Sequence, residues 1–205
     1  MTAKTKSEKA RPLRSDTRRN HRRLMAAVGE IARESPEDLT MQAVAARAEI
    51  GPATAYRYYS TMDDVLAAYV LGVIEQLRSF SAESTLGGRE HFDAVVACWL
   101  ELLDEHGAAM VQLRSRRGFL ERLHAENDII VTVERAWRPP LVALLDELGL
   151  STDLIEYALF LCNMIFDPRE VHDLRTAANL SHAEVSERLT AAFLGALHGW
   201  AGAGK

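Results

Sequence analysis

The chain has 205 residues, 48% of them hydrophobic, and a formal net charge of −5, enough apolar material for a sizeable buried core. Cys98 and Cys162 stand alone in apolar stretches, so they read as core thiols and offer neither a disulfide framework nor metal-ligand spacing. No apolar stretch follows the basic start, no run approaches the roughly 18 apolar residues of a membrane span, and no H-E-x-x-H, G-x-S-x-G or P-loop pattern occurs, so a cytoplasmic, non-enzymatic protein without cofactor or metal is expected.

Charge is distributed unevenly along the chain. Residues 1–60 hold twelve Lys/Arg and seven Asp/Glu, net +5, and residues 61–205 hold twelve and twenty-two, net −10. A basic end joined to an acidic body is the footprint of a nucleic-acid-binding unit attached to a unit with another task. Residues 1–14 carry Pro12, several cations and almost no apolar side chain, and are expected to form a disordered basic arm able to follow a DNA backbone. Residues 15–61 contain a helix-turn-helix. Met41, Val44, Ala45 and Ala48 recur with helical spacing behind Thr40, a natural N-cap; the break at Glu49, Ile50 and Gly51 follows, and Pro52 has its φ already set for a first helical position. In the second helix Ala55 and Tyr59 share one face, while Thr54, Arg57 and Tyr58 project elsewhere, and Ala53 keeps the leading end slim enough for a major groove.

Apolar residues from Val65 to Phe80 keep the 3.6 period, so a long linking helix over 62–84 is expected, ended by Gly87 and Gly88. Helical patterns continue at Phe92 to Leu103, Met110 to Leu123, Ile129 to Leu148, Leu154 to Phe166 and Val185 to Trp200, with no alternating strand pattern. Pro139 and Pro140 should kink or split their helix, and Pro168 should stop the one before it; Ser181 and Glu184 form a capping box for the last.

From about Arg22 to Leu66 the chain resembles the DNA-binding domain of the tetracycline-repressor (TetR) family. The matching slots are Thr40, the turn Ala48-Glu49-Ile50-Gly51, the segment Thr54-Ala55-Tyr56-Arg57-Tyr58-Tyr59, and Met62-Asp63-Asp64-Val65-Leu66. Glu49, Gly51, Ala53 and Met62 depart from the usual glycine, serine, glycine and lysine. The resemblance implies an all-α fold: a three-helix helix-turn-helix domain joined through a long fourth helix to a helical bundle, residues 62–205, for effector binding and dimerisation. It also implies that Gln42 and Arg57 read base edges, that Ala53 and Thr54, behind Pro52, meet the groove, and that Thr40, Tyr56 and Tyr58 hold phosphates; the basic flank adds Arg14 and Arg18 as DNA-binding residues.

The body offers two sets of candidates. Trp99, Met110, Phe119, Trp137, Phe160, Asn163 and Met164 would line an apolar effector pocket, with His106 and Gln112 as polar orienters; core packing is the competing reading of each. Leu189, Ala192, Phe193, Ala196 and Trp200 form a stripe suited to a twofold dimer on a palindromic operator, as the resemblance also implies, against the alternative that they pack within one chain. The function expected is a homodimeric regulator, a repressor of double-stranded operator DNA released by a small hydrophobic or aromatic effector. The alternative is a ligand-independent architectural DNA-binding protein.

Overall fold

The computed structural model describes residues 10–113 and 117–202, with side chains from Asp16 onward. The described residues form ten α-helices and two single 3-10 turns, without a strand: α1 (Ala10–Glu34), α2 (Met41–Arg47), α3 (Pro52–Tyr58), α4 (Met62–Glu83), α5 (Gly88–Met110), α6 (Phe119–His124), α7 (Asp128–Glu147), α8 (Ile155–Ile165), α9 (Pro168–Thr176) and α10 (His182–Gly202). The helix α1 starts at Ala10, inside the segment 1–14 expected to be disordered; residues 1–9 lie outside the described residues. Two units result, and the division between them falls within α4, between Tyr69 and Val70, rather than at Met62.

The first unit is built on side chains whose spacing selects one face of each helix. Leu24, Val28, Val44, Ala45, Ala55 and Val65 are wholly buried, and Leu66 and Tyr69 complete this core, which is why the first turns of α4 belong here. Gly29 on α1 permits the close approach of Tyr69: a Cβ there would lie 2.7 Å from the tyrosine hydroxyl. By length and composition α4 could cross a membrane, contrary to the expectation that no segment would approach this. Its apolar side is spent otherwise, with Val65, Leu66, Tyr69, Val70, Val73, Ile74 and Leu77 all buried in protein.

In the second unit α5 packs on α7, α9 and α10, and α7 and α10 pack on α8. Phe92 and Phe193 stack with ring centroids 4.9 Å apart, and Trp137 and Phe166 stack at 5.8 Å, giving an aromatic centre that such pairs strengthen beyond area burial alone. Glu147 at the end of α7 accepts the Arg89 amide at 2.8 Å, in the first turn of α5. Gly88 makes this possible, since its φ is +49° and a Cβ would run into that carboxylate.

The helix α7 is not split at Pro139 and Pro140: burial of Pro140, Leu141, Leu144 and Leu145 holds the helix together across two missing backbone donors. The helix α8 ends at Ile165, ahead of Pro168 as expected, and Pro168 is also the first residue of α9, with Asp167 as N-cap accepting the Arg169 amide at 2.9 Å.

Candidate nucleic-acid interface and ligand cavity

The helix-turn-helix is assembled by local capping. Thr40 caps α2 by accepting the Ala43 amide at 3.2 Å. The helix ends in paired bonds, Ile50 N–H to Ala45 C=O at 2.9 Å and Glu49 N–H to Ala46 C=O at 3.0 Å, with Glu49 at φ +52° in the left-handed position. This is a Schellman closure with glutamate where glycine is the low-strain choice. Glu49 is tied down by an ion pair from Arg23 on α1. Gly51 then caps α3, and its carbonyl accepts the amides of Thr54 and Ala55 at 2.8 and 3.1 Å. At the start of α4, Thr61 and Asp64 cap one another, the Thr61 amide to Asp64 Oδ2 at 2.9 Å and the Asp64 amide to Thr61 Oγ1 at 3.1 Å. That box was legible as T-x-x-D. It places acidic side chains beside half-buried Met62, where a lysine would otherwise offer a phosphate contact.

The residues singled out for DNA sit on the surface of this unit. Thr40, Gln42, Pro52, Ala53, Tyr56 and Arg57 are exposed, and Thr54 and Tyr58 are half-buried, while Ala55 turns inward and anchors α3. Arg18 is exposed on α1; Arg14 lies in the same helix, its side chain outside the described residues. The hydroxyl of Tyr58 is held from α1 by Asn20 Nδ2 at 3.4 Å and by Thr17, and these hydrogen bonds, the Asn20 bond foremost, pull its pKa below the ordinary tyrosine value. Tyr59 approaches His21 Nδ1 at 2.6 Å, and its own pKa is raised by burial. Tyr58 and Tyr59 therefore brace α3 against α1.

The arginines divide into two groups. Arg47 bridges Glu30 and Glu34 at 3.2 and 2.9 Å, Arg23 bridges Glu49, and Arg19 bridges Asp16 at 3.3 Å. Arg18, Arg22 and Arg57 have no carboxylate partner among the described residues; Arg57 lies over the Tyr58 ring at 5.8 Å. Arg18 and Arg22 share a surface recess with Thr17, His21, Tyr58 and Tyr59. Arg22 was not among the sequence candidates, although its four-residue spacing from Arg18 marks the same helix face.

The second unit contains a cavity of about 130 Å³. Trp99, Met110, Trp137 and Asn163 line it, together with residues the sequence did not single out, among them Leu159, Cys162, Phe166 and three charged groups, Arg122, Asp167 and Arg169. Trp99 donates its indole N–H to the Phe166 carbonyl at 3.0 Å. Phe119 is buried but outside the lining, Gln112 is exposed, and His106 lies 3.8 Å from Glu105. Phe160 and Met164 are placed elsewhere than the pocket reading put them. Phe160 meets Trp200 with ring centroids 6.4 Å apart, and Met164 is 52% exposed.

Of the stripe on α10, Phe193 does not face outward: it is fully buried against Phe92, about 100° round the helix from exposed Ala192. Leu189 and Ala196 are half-buried, and Ala192 and Trp200 exposed. Trp200 packs against Tyr157 at 5.0 Å, so α8 and α10 together present exposed aromatic surface with Met164.

Residues 24–69 match the family model described as bacterial regulatory proteins, tetR family. Uncharacterized HTH-type transcriptional regulators of Mycobacterium tuberculosis and Mycobacterium bovis are 41% identical over 54 residues, 26% of this chain and 25% of theirs. The match therefore spans about a quarter of the length of these curated relatives. The fold is similar to a TetR transcriptional regulator from Rhodococcus sp. RHA1, with a TM-score of 0.60 and 19% identity over 87% of this chain and 95% of that one. It is also similar to a tetR-family transcriptional regulator from Streptomyces coelicolor, with a TM-score of 0.59 and 16% identity over 91% and 83% of the two chains. A putative transcriptional regulator from Pseudomonas aeruginosa PAO1 shares it as well, at 0.58 and 17% over 87% and 90%.

Proposed function

The chain belongs to the tetR family of bacterial regulatory proteins, and on that premise we propose that it is a cytoplasmic transcriptional repressor that binds a palindromic operator as a homodimer and is released by a small, mainly hydrophobic or aromatic effector. The observation that carries the DNA-binding part is the sorting of charge around α3: Arg23 and Arg47 are consumed in bridges, while Arg57, and Arg18 and Arg22 in the recess by Tyr58 and Tyr59 at the C-terminal end of α3, have no carboxylate partner among the described residues. Arg57 and Gln42 are the base readers, since their side chains pair bidentately with guanine and adenine, each good pair contributing about 1–3 kcal/mol of discrimination. Thr40, Tyr56, Arg18 and Arg22 hold phosphates, which fix register without carrying sequence information. Tyr58 positions α3 through Asn20.

The dimer is the twofold pairing that a palindrome requires, and the exposed surface of Tyr157, Met164, Trp200 and Ala192 is its proposed interface. The cavity supports the effector reading. Continuity of α4 supplies the coupling, because Val65 and Leu66 sit in the core of the reader and Val70 and Ile74 line the cavity. A coupling of about 1–3 kcal/mol shifts operator affinity by about 5 to 150-fold.

Selection of bound fragments from random duplex DNA is the decisive experiment. A palindromic consensus is expected from the wild type; Arg57→Ala should relax the preference at one position of each half-site, and Tyr56→Phe should weaken all sequences alike. Identical effects from the two substitutions would refute this division of labour, and failure to retain any duplex at low ionic strength would remove the reading altogether.

A further inference from the structure

The cavity of the second unit has a charged end. Arg122, on α6, lines it with its Nε buried and no hydrogen-bond partner, and it makes no salt bridge among the described residues. Asp167 is the only acidic residue among the described lining, and it is already engaged: its Oδ1 accepts the Arg169 amide at 2.9 Å and Arg169 Nε at 3.3 Å while capping α9. Burial pulls the pKa of Arg122 down, and Asp167 offsets this only in part. The described lining thus holds two arginines against one aspartate. Cys162 adds no negative charge, because burial pushes its thiol well above the ordinary value and keeps it neutral. The rest of the wall is mainly apolar or aromatic, and the indole N–H of Trp99 is spent on the Phe166 carbonyl.

A buried Nε–H on a half-buried, charged side chain that gains no acceptor is costly, because the donor has given up water without a replacement. An anion entering the cavity would remove that cost. A carboxylate fits best, since its planar pair of oxygens matches the guanidinium fork and its single charge matches the single excess cation of the described lining. A phosphate dianion would leave one charge uncompensated in a largely apolar wall.

We propose that the effector is an amphipathic monoacid whose carboxylate is received by Arg122 and whose apolar body lies among Trp99, Met110, Trp137 and Phe166. This rests on the reading of the cavity as the effector site and names the chemistry it selects.

The test uses the full wild-type chain, in which Trp99 and Trp137 both stand in the cavity wall. Octanoate and 1-naphthoate are titrated against 1-octanol and 1-naphthalenemethanol at neutral pH, read by tryptophan emission. The acids should bind about tenfold or more tightly than the alcohols, the scale set by a charge-assisted hydrogen bond. Arg122→Met should erase that preference while leaving alcohol binding within about twofold, and Arg122→Lys should restore part of it. Should Arg122→Met fail to fold by circular dichroism, Arg122→Gln is read in its place. Equal binding of acid and alcohol by the wild type, or an acid preference that survives loss of Arg122, overturns the proposal and leaves the cavity as a neutral-effector site. Indoles silent to acids and alcohols alike overturn both the proposal and the cavity reading beneath it.

Discussion

The two units put their chemistry in opposite places. The first unit keeps a small, mainly aliphatic core and displays the groups proposed to meet DNA outward, on Gln42, Ala53, Tyr56 and Arg57, whereas the body buries aromatics at its centre and keeps its polar surprise, Arg122, within a cavity. Outward-facing function depends on a few neighbouring turns of helix. Inward-facing function depends on which distant helices meet, and the two units should accordingly fail in different ways when altered.

The largest effect is expected from Phe92→Ala. Its side chain is wholly buried against Phe193, and truncating such a residue costs about 3–5 kcal/mol. All three tryptophans belong to the second unit, so the loss should appear as a lower urea midpoint in tryptophan fluorescence. An unmoved midpoint would mean that this stack is not the body's centre.

Gly88→Ala comes next. The left-handed φ alone costs a non-glycine residue about 1–2 kcal/mol, and the new methyl displaces the Glu147 carboxylate from the Arg89 amide. Adding Glu147→Ala should make matters little worse, because the bond has already gone; a second, equal drop in melting temperature would contradict this.

On the reader the same backbone argument runs the other way. Glu49 occupies a left-handed position at a cost of about 1–2 kcal/mol. Its pair with Arg23 is exposed and worth about 0–1 kcal/mol. Glu49→Gly should therefore stabilise the first unit by up to about 1 kcal/mol, measured by hydrogen exchange of α2 and α3 amides. A loss of protection would assign the ion pair the larger share.

The smallest effect concerns the capping box of α10. Glu184 accepts the amide and hydroxyl of Ser181 at 2.9 and 2.7 Å, bonds that hold its carboxyl below the ordinary glutamate range. A depressed folded-state pKa gives stability that is complete above the unfolded value and disappears as pH falls through the folded one. The melting-temperature gap between wild type and Glu184→Ala should therefore close on acidification; a gap that widens would reverse the assignment.

What could be read in advance follows the same division. Thr40, the Gly51-Pro52 pair and the Ser181–Glu184 box were legible because a cap is a bargain among residues three or four apart, and each is found making its bonds. The outward residues of α3 were legible because Ala55 identifies the buried side of so short a helix. Helical period could not sort the body. Phe160, Met164 and Phe193 share the apolar spacing of Trp137, yet two lie toward the outer surface and one in the core, a choice made by helices far away in sequence. Pro168 stops α8 as its sequence position implies, and with Asp167 before it the pair also starts α9, a second role carried by the Asp-Pro cap. Arg122 sits in a six-residue helix with no flanking motif, and only the cavity gives it meaning.

Pro139 and Pro140 leave the carbonyls of Arg135 and Ala136 without the amide partners an unbroken α7 would provide. Bending a helix normally stretches bonds that resist; here the crease is already unbonded, so flexure begins at little enthalpic loss. Because Val133 and Trp137 flank that crease and form part of the cavity wall, the chamber has a soft panel, so the effector reading proposed above implies that guests of unequal girth are accommodated by tilting one rod instead of repacking the whole bundle.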